Sequence, residues 1–219
     1  MSGIRNIFHS YNYNNTFIET GSYYGDGIKK ALDAGFENII SIEITPKYYE
    51  LCKKKFKDYP NVEIILGDTV DVLPEILKNT TEACTIWLDA HYTEPSTNFG
   101  EKWCPLMEEL ENLKDSLVPH TILINDLRIW TQAIYDFNIK DIKRKILEIN
   151  SDYTMSLAEG FIPNDVLVAE YKVEVKEVVV EKPVETPVAK KLTKKPAVKK
   201  TIKKPVTKKT TKKSTKTNK

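Results

Sequence analysis

The sequence has few cysteines, no long apolar run and no regular glycine fingerprint. Its three cysteines, Cys52, Cys84 and Cys104, include no C-x-x-C pair, which argues against a cysteine zinc site. No stretch approaches the roughly 18 apolar residues that a membrane-spanning helix needs. An odd cysteine count without a recognisable signal peptide favours a reducing compartment. We therefore expect a soluble, cytoplasmic protein without a membrane span.

Acidic residues are absent from the last part of the chain, which creates a strong charge asymmetry. Residues 189–219 contain 14 lysines and no acid, so residues 1–188 carry 19 basic residues against 31 acidic ones. We expect residues 189–219 to be a disordered tail and residues 172–188 to be a linker. Non-specific contact with nucleic-acid phosphates is one candidate role for the tail, and solubility alone is another. Its paired lysines repeat every nine residues, in 190–198, 199–207 and 208–216.

Residues 16–171 alternate between short apolar runs and amphipathic segments, which indicates βα units and a parallel sheet. Two final runs, 153–157 and 165–171, have no helix between them and should form an antiparallel hairpin. We predict an α/β, Rossmann-like open sheet, mostly parallel, with helices on both faces. Residues 1–15 have neither helical nor strand periodicity. We expect them to form an N-terminal arm that is flexible or folded over the site. The five parallel strands are predicted at 16–19, 38–43, 62–66, 83–88 and 121–124.

Helix signals fill the gaps between these strands. Thr45 and Pro46 read as the N-cap and first residue of a helix. Pro105 should open another helix, in which leucines recur at three- and four-residue steps as far as Leu117. We expect the acids of this helix, Glu108, Glu109 and Glu111, to form a solvated face. One of the remaining helices is predicted to begin at about Asp26, and another is predicted to end at Leu77. A third is predicted to contain Ile139, Ile142, Ile146 and Ile149.

The first strand ends at an acid and a glycine-bearing turn, residues 17–27 (FIETGSYYGDG). Its glycines allow a ligand to approach the backbone closely, but their spacing does not fit the dinucleotide fingerprint G-x-G-x-x-G. The second strand ends in an acid placed to accept hydrogen bonds from ribose hydroxyls. Because ligands of open α/β sheets bind outside the carboxyl ends of the strands, we predict a nucleotide-type cofactor site there. The polar strand-end residues are Glu19, Glu43, Asp68, Asp89, Asn125 and Asp126.

These motifs resemble those of the class I S-adenosylmethionine-dependent methyltransferases, over residues 16–171. The chain is also similar to a largely uncharacterised group of methyltransferases with E-T-G-[TS]-Y, S-I-E and L-D-A-H-Y motifs. The resemblance implies S-adenosylmethionine as the cofactor, with the glycine turn at its methionine part, Glu43 at the ribose and Asp68 at the adenine amine. Asp89 would face the reacting methyl group. The implied cofactor-binding residues are Glu19, Thr20, Gly21, Ser22, Tyr23, Gly25, Glu43, Gly67, Asp68 and Asp89.

The residues after strands four and five resemble those of the cation-dependent O-methyltransferases. These enzymes place an Asp after strand four and an Asp-Asn pair after strand five, whereas this chain has the reversed pair Asn125-Asp126. The resemblance implies Mg²⁺ at Asp89, Asn125 and Asp126, where a cation would lower the pKa of the acceptor hydroxyl. Without a metal, His91 is the natural general base. Asp89, His91 and Asp126 are therefore the predicted catalytic residues.

The acceptor is predicted less directly than the cofactor. Arg128 could hold an anionic part of the substrate, and Trp103 could line the acceptor pocket, although either residue could equally be structural. We predict methylation of an oxygen nucleophile on a small molecule or glycan. One alternative is a nucleic-acid methyltransferase recruited by its lysine tail, although the N/D-P-P-Y/F motif is missing. Another is a catalytically inactive, methyltransferase-like binding protein.

Overall fold

A seven-stranded sheet organises the protein, whose computed structural model describes residues 6–91, 104–130 and 135–171. The strand order is β3-β2-β1-β4-β5-β7-β6. β7 is antiparallel to both of its neighbours, and the other pairs are parallel. This arrangement confirms the predicted sheet and its C-terminal hairpin. The strands are β1 (Thr16–Thr20), β2 (Asn38–Glu43), β3 (Val62–Leu66), β4 (Cys84–Leu88), β5 (Thr121–Ile124), β6 (Tyr153–Ala158) and β7 (Val166–Tyr171).

Among the described residues, five α-helices connect the strands, and two of them begin with a side-chain cap that accepts a backbone hydrogen bond. Thr45 precedes the helix that begins at Pro46, as predicted. The Asp68 carboxylate accepts a hydrogen bond from the Val70 amide at the start of the third helix. The helices are α1 (Asp26–Ala34), α2 (Pro46–Lys55), α3 (Thr69–Lys78), α4 (Leu106–Asn112) and α5 (Ile139–Ile149), with 3₁₀ helices at Ile7–Ser10 and Leu113–Asp115.

Apolar side chains pack on both faces of the sheet. Phe17 belongs to the core that includes residues of α1 and α2, and Ile18 belongs to the core that includes residues of α3, α4 and α5. Successive side chains of a strand point to opposite faces. Glu19 therefore lies on the α1 side of β1, and Thr20 lies on the α3–α4 side.

Two predictions about the fourth helix are wrong. α4 ends at Asn112, and Leu117 is 77% exposed instead of extending the apolar stripe. Ser116 is already extended, and the α conformation is disfavoured for Val118 because a proline follows it. Glu109 is fully buried instead of solvated, because it faces the packed side of α4 beside Leu110.

The described part of the N-terminal arm packs on the α1 face of the sheet. Phe8 is 1% exposed, and its ring centroid lies 4.8 Å from that of Phe17 and 4.9 Å from that of Trp87. The Asn12 side chain donates a hydrogen bond to the Ala34 carbonyl at 2.6 Å. The predictions for Trp103, the linker and the lysine tail concern residues outside the described ranges. None of the described helices combines the length and the apolar character that crossing a bilayer requires.

Candidate active site

The glycine turn after β1 fits closely against neighbouring elements. Gly21 has a φ of +83°, and its amide donates to the Ile42 carbonyl at 2.9 Å. A Cβ atom at this position would lie 3.1 Å from the Asp89 carbonyl oxygen. Gly25, with a φ of +76°, precedes α1, and a Cβ there would lie 2.5 Å from the Phe56 ring. These glycines hold the turn against the end of β4 and against α2.

Glu19 lies buried beneath this turn. The Ser41 hydroxyl donates to Glu19 Oε2 at 2.6 Å, and a second hydroxyl, of Ser22, lies 2.6 Å from Ser41 Oγ. A Cβ atom at Gly27 would overlap Glu19 Oε1, so a larger residue there would have to displace the buried carboxyl group. Burial raises the pKa of Glu19 to about 8, and the charge of Asp89 adds to this effect. The carboxyl group is therefore mostly protonated at neutral pH, and it packs against the glycine turn at Gly27.

Glu43 joins the glycine turn to the start of α2. Its Oε2 accepts a hydrogen bond from the Tyr23 amide at 2.8 Å, and its Oε1 accepts one from the Thr45 amide at 2.7 Å. Tyr23 is a non-glycine residue with a left-handed backbone, at a φ of +46°. Each carboxylate oxygen can accept a second hydrogen bond. The predicted contact with ribose hydroxyls is therefore compatible with both internal bonds.

Gly67 and Asp68 lie beside Glu43 at the end of β3. The Gly67 amide donates to the Glu43 carbonyl at 2.9 Å, and Asp68 Oδ1 accepts from the Val70 amide at 3.0 Å. Asp68 therefore caps α3, whatever further contact it makes. Four of the predicted strand-end acids, Glu19, Glu43, Asp68 and Asp89, thus lie along the carboxyl edge of β1–β4, as the topology requires.

The structure brings together Asp89, His91 and Asp126. One ligand atom of each lies within 4.8 Å of the others, a spacing that could accommodate a metal ion. His91 Nε2 lies 3.5 Å from Asp126 Oδ2, and His91 Nδ1 lies 3.2 Å from the Asp89 backbone carbonyl. Two carboxylates and one imidazole therefore face a common point at the ends of β4 and β5.

Hydrogen bonds orient Asp89. Asn125 donates its side-chain amide to Asp89 Oδ1 at 2.9 Å, Trp87 Nε1 donates to Oδ2 at 3.3 Å, and Thr20 Oγ1 accepts from the Asp89 amide at 3.1 Å. Burial raises the pKa of Asp89 to about 6, against the opposing effects of His91 and of these donors. Asn125 thus lies next to the cluster with its amide nitrogen towards Asp89, and its predicted metal contact stays a prediction.

Arg128 is joined to two carboxylates. It donates to Asp126 Oδ1 at 2.6 Å and forms an ion pair with Asp165. The Arg128 backbone amide also donates to Asp165 Oδ1 at 3.1 Å, and the Phe161 ring lies 5.0 Å from the guanidinium carbon. Asp165 is buried and was missed from the sequence. Its only local signal is its position in a turn before β7, since its partner lies 37 residues away.

A cavity of about 240 Å³ opens next to this cluster. Asp89, Asn125 and Asp126 form one wall, and the start of α1 at 26–27 forms another. The N-terminal residues 6–8 and the β6–β7 turn at 159–161 complete the lining. A small molecule in this space would contact Asp89, Asp126 and the start of α1 together.

No protein-family model and no curated protein matches the sequence, whereas several solved structures resemble the fold. A methyltransferase from Podospora anserina, solved with S-adenosylhomocysteine bound, is 15% identical with a TM-score of 0.53, covering 77% of this chain and 76% of its own. The O-methyltransferase TomG from Streptomyces achromogenes, involved in tomaymycin synthesis and solved with S-adenosylmethionine, is 17% identical with a TM-score of 0.52 and 75% coverage of both chains. An O-methyltransferase from Bacillus cereus, also bound to S-adenosylhomocysteine, is 15% identical with a TM-score of 0.54, covering 77% of this chain and 81% of its own. The chain therefore has the fold of the class I S-adenosylmethionine-dependent methyltransferases.

Proposed function

We propose that the protein is an S-adenosylmethionine-dependent methyltransferase that methylates an oxygen nucleophile of a small molecule or glycan. The observation that carries this proposal is the Asp89–His91–Asp126 cluster, which adjoins the glycine turn and a cavity. Methyl transfer from a sulfonium requires an acceptor held in line with the methyl group and a route for the acceptor proton. The cluster can supply the proton route, and the cavity can hold the acceptor.

The residues at the edge fit the proposed cofactor. Gly21 brings the backbone close to the Asp89 carbonyl. Glu43 can accept further hydrogen bonds besides the two that it accepts from backbone amides. In this proposal the amino-acid part lies at the glycine turn and the ribose lies at Glu43. The remaining proposed contacts come from Glu19, Thr20, Ser22, Tyr23, Gly25, Gly67, Asp68 and Asp89.

A divalent cation is one way to activate the acceptor. Asp89, His91 and Asp126 would hold it, and a bound cation would lower the pKa of an acceptor hydroxyl. A ligand set of two carboxylates and one imidazole suits Mn²⁺ or Fe²⁺ better than Mg²⁺, which prefers oxygen ligands alone. Asn125 would then orient Asp89 through its amide group instead of binding the metal.

General-base catalysis by His91 is the other way to activate the acceptor. If Nδ1 donates its proton to the Asp89 carbonyl at 3.2 Å, the lone pair of Nε2 remains available to take the acceptor proton. Asp126 Oδ2, 3.5 Å from Nε2, would stabilise the imidazolium that forms. The two mechanisms use the same three residues, so the decisive difference is the requirement for a cation.

Titration calorimetry of the full-length protein with S-adenosylmethionine and S-adenosylhomocysteine tests the proposal. We expect binding of both compounds, and we expect Mn²⁺ or Mg²⁺ to bind the wild type but not an Asp126→Asn variant if the cation mechanism operates. Asp33→Asn, which alters an exposed acid of α1, is the matched control. Absence of binding of either compound at millimolar concentration would refute the methyltransferase proposal. Binding of the cofactor without any cation effect would favour His91 as the base.

A further inference from the structure

Glu109 is a buried acid without a hydrogen-bond partner. Its side chain is fully buried, and neither carboxyl oxygen forms a hydrogen bond within the described part of the chain. The hydroxyl of Thr69, which is also buried, lacks a partner in the same way. Buried polar groups in folded proteins almost always have partners, so two neighbouring exceptions require an explanation.

The position of Glu109 points to the cofactor site. Its carboxyl group lies near Thr69, at the start of α3, and near Thr20, at the end of β1, without forming a bond of normal geometry to either. Asp68 and Asp89 are close enough for their charges to raise the pKa of Glu109. The unpartnered oxygens therefore lie among the strand-end residues, although Glu109 itself belongs to α4.

The topology indicates which part of the cofactor would reach this place. The glycine turn follows β1 on the α1 side of the sheet, and Glu43 ends β2, which lies between β1 and β3 in the sheet. Thr69 and Glu109 lie on the opposite side, among α3 and α4. A molecule with its amino-acid part at the turn and its ribose at Glu43 would therefore direct its base towards Thr69 and Glu109.

We propose that the carboxyl group of Glu109, together with the hydroxyl of Thr69, binds the adenine base of the cofactor. This inference rests on the proposed methyltransferase function. Adenine presents an amine donor at N6 next to a ring acceptor at N1. A protonated carboxyl group offers one donor and one acceptor, which is the complementary pair.

The protonation state of Glu109 agrees with this role. Burial raises the pKa of Glu109 to about 8, against opposing effects of the Thr69 and Thr20 hydroxyls and with further raising effects of Asp68 and Asp89. The carboxyl group is therefore mostly neutral at pH 7, with a proton to donate to N1. A glutamine has the same donor and acceptor at nearly the same positions, whereas a methionine has neither.

Calorimetry with two cofactor analogues tests the contact. We would titrate the full-length protein with S-adenosylhomocysteine and with its 1-deaza and 3-deaza analogues, which lack N1 and N3 of the base respectively. The variants are Glu109→Gln, Glu109→Met and the control Glu111→Met, which changes an exposed residue of the same helix. Thermal unfolding of each variant without ligand checks that it is folded.

We expect the wild type and Glu109→Gln to bind the 1-deaza analogue about five- to tenfold more weakly than the 3-deaza analogue, the loss of one buried hydrogen bond. Glu109→Met should bind S-adenosylhomocysteine at least tenfold more weakly and should not distinguish the two analogues. Unchanged affinity of Glu109→Met, or its continued discrimination, would overturn this inference and leave the proposed function intact. If Glu109→Met does not fold, equal binding of both analogues by the wild type would overturn it. Absence of S-adenosylhomocysteine binding by the wild type would refute both proposals.

Discussion

Stability against acid should depend on one buried histidine, His120, which precedes β5. The Cys84 amide donates to His120 Nδ1 at 3.1 Å, so the proton of the neutral ring resides on Nε2, 2.6 Å from Ser116 Oγ. Ser116 in turn donates to the Val118 carbonyl at 3.1 Å. A second proton on Nδ1 would face the Cys84 amide and break this chain of bonds. Burial accordingly lowers the pKa of His120 to about 4.

This pKa defines the pH window of the effect. Because the folded-state pKa of about 4 is below the ordinary value of 6.5, the unfolded chain binds the proton first as the pH falls. The stabilisation is complete above pH 6.5 and is lost as the pH falls towards 4. Between pH 8 and pH 4.5 the loss amounts to about 2.5 kcal/mol of unfolding free energy. Glu19 and Glu109, whose pKa values are raised, act in the opposite direction above pH 4.5.

A comparison of variants isolates the histidine from these acids. We would measure urea unfolding of the wild type and of His120→Asn from pH 4.5 to pH 8, because the asparagine oxygen can still accept from the Cys84 amide but does not titrate. The difference in unfolding free energy should be constant above pH 7 and should decrease by about 2.5 kcal/mol at pH 4.5. His9→Asn, at an exposed position, should remain within about 0.5 kcal/mol of the wild type throughout. A difference for His120→Asn that is independent of pH would refute the reasoning.

Three further changes test the turn, the arm and the tail. Gly27→Ala places a Cβ on the buried Glu19 carboxyl group. It should weaken S-adenosylhomocysteine binding at least tenfold and lower the unfolding free energy by about 1–3 kcal/mol. Unchanged affinity in calorimetry would contradict this prediction. Phe8→Ala removes the buried Phe8 ring that packs against Trp87. Urea unfolding should show a loss of about 3–5 kcal/mol in unfolding free energy, whereas a loss below about 1 kcal/mol would mean that the arm is not packed in solution. Deletion of residues 189–219 should abolish salt-sensitive binding to duplex DNA in fluorescence anisotropy and leave cofactor affinity unchanged; DNA binding that survives the deletion would place that contact elsewhere.

The sheet was predictable from the sequence because each strand carries a local signal. The runs at 38–43 and 62–66 begin and end where the apolar pattern does, and Thr45-Pro46 marks the start of α2 by capping chemistry alone. The C-terminal hairpin followed from the absence of a helix between 153–157 and 165–171. The end of α4 was not predictable from leucine spacing, because Leu117 continues that spacing beyond the point where the backbone leaves the helix.

The site was predictable only in part, since its composition depends on contacts distant in sequence. Acids at strand ends can be placed along one edge by topology alone, as for Asp89 and Asp126. The pairing of Arg128 with Asp165 requires the register of β5 and β7, which no local pattern contains. Glu109 was misassigned because an acid on an amphipathic helix ordinarily faces water. Its burial depends on how α4 packs against α3.

Backbone strain distinguishes this edge of the sheet from an ordinary set of strand ends. Among the described residues, the non-glycine residues with left-handed backbone are Tyr23, Asp126 and Asn164. Tyr23 donates its amide to Glu43, Asp126 belongs to the candidate catalytic cluster, and Asn164 directly precedes Asp165, the partner of Arg128. Asn and Asp adopt this conformation readily in turns, whereas for a bulky residue such as Tyr23 it costs on the order of 1–3 kcal/mol and persists only where the surroundings enforce it. An edge used only to terminate strands has no need of such strain. Its occurrence at Tyr23, whose amide is held by Glu43, is therefore expected of a preorganised site, and it favours an enzyme over an inactive scaffold.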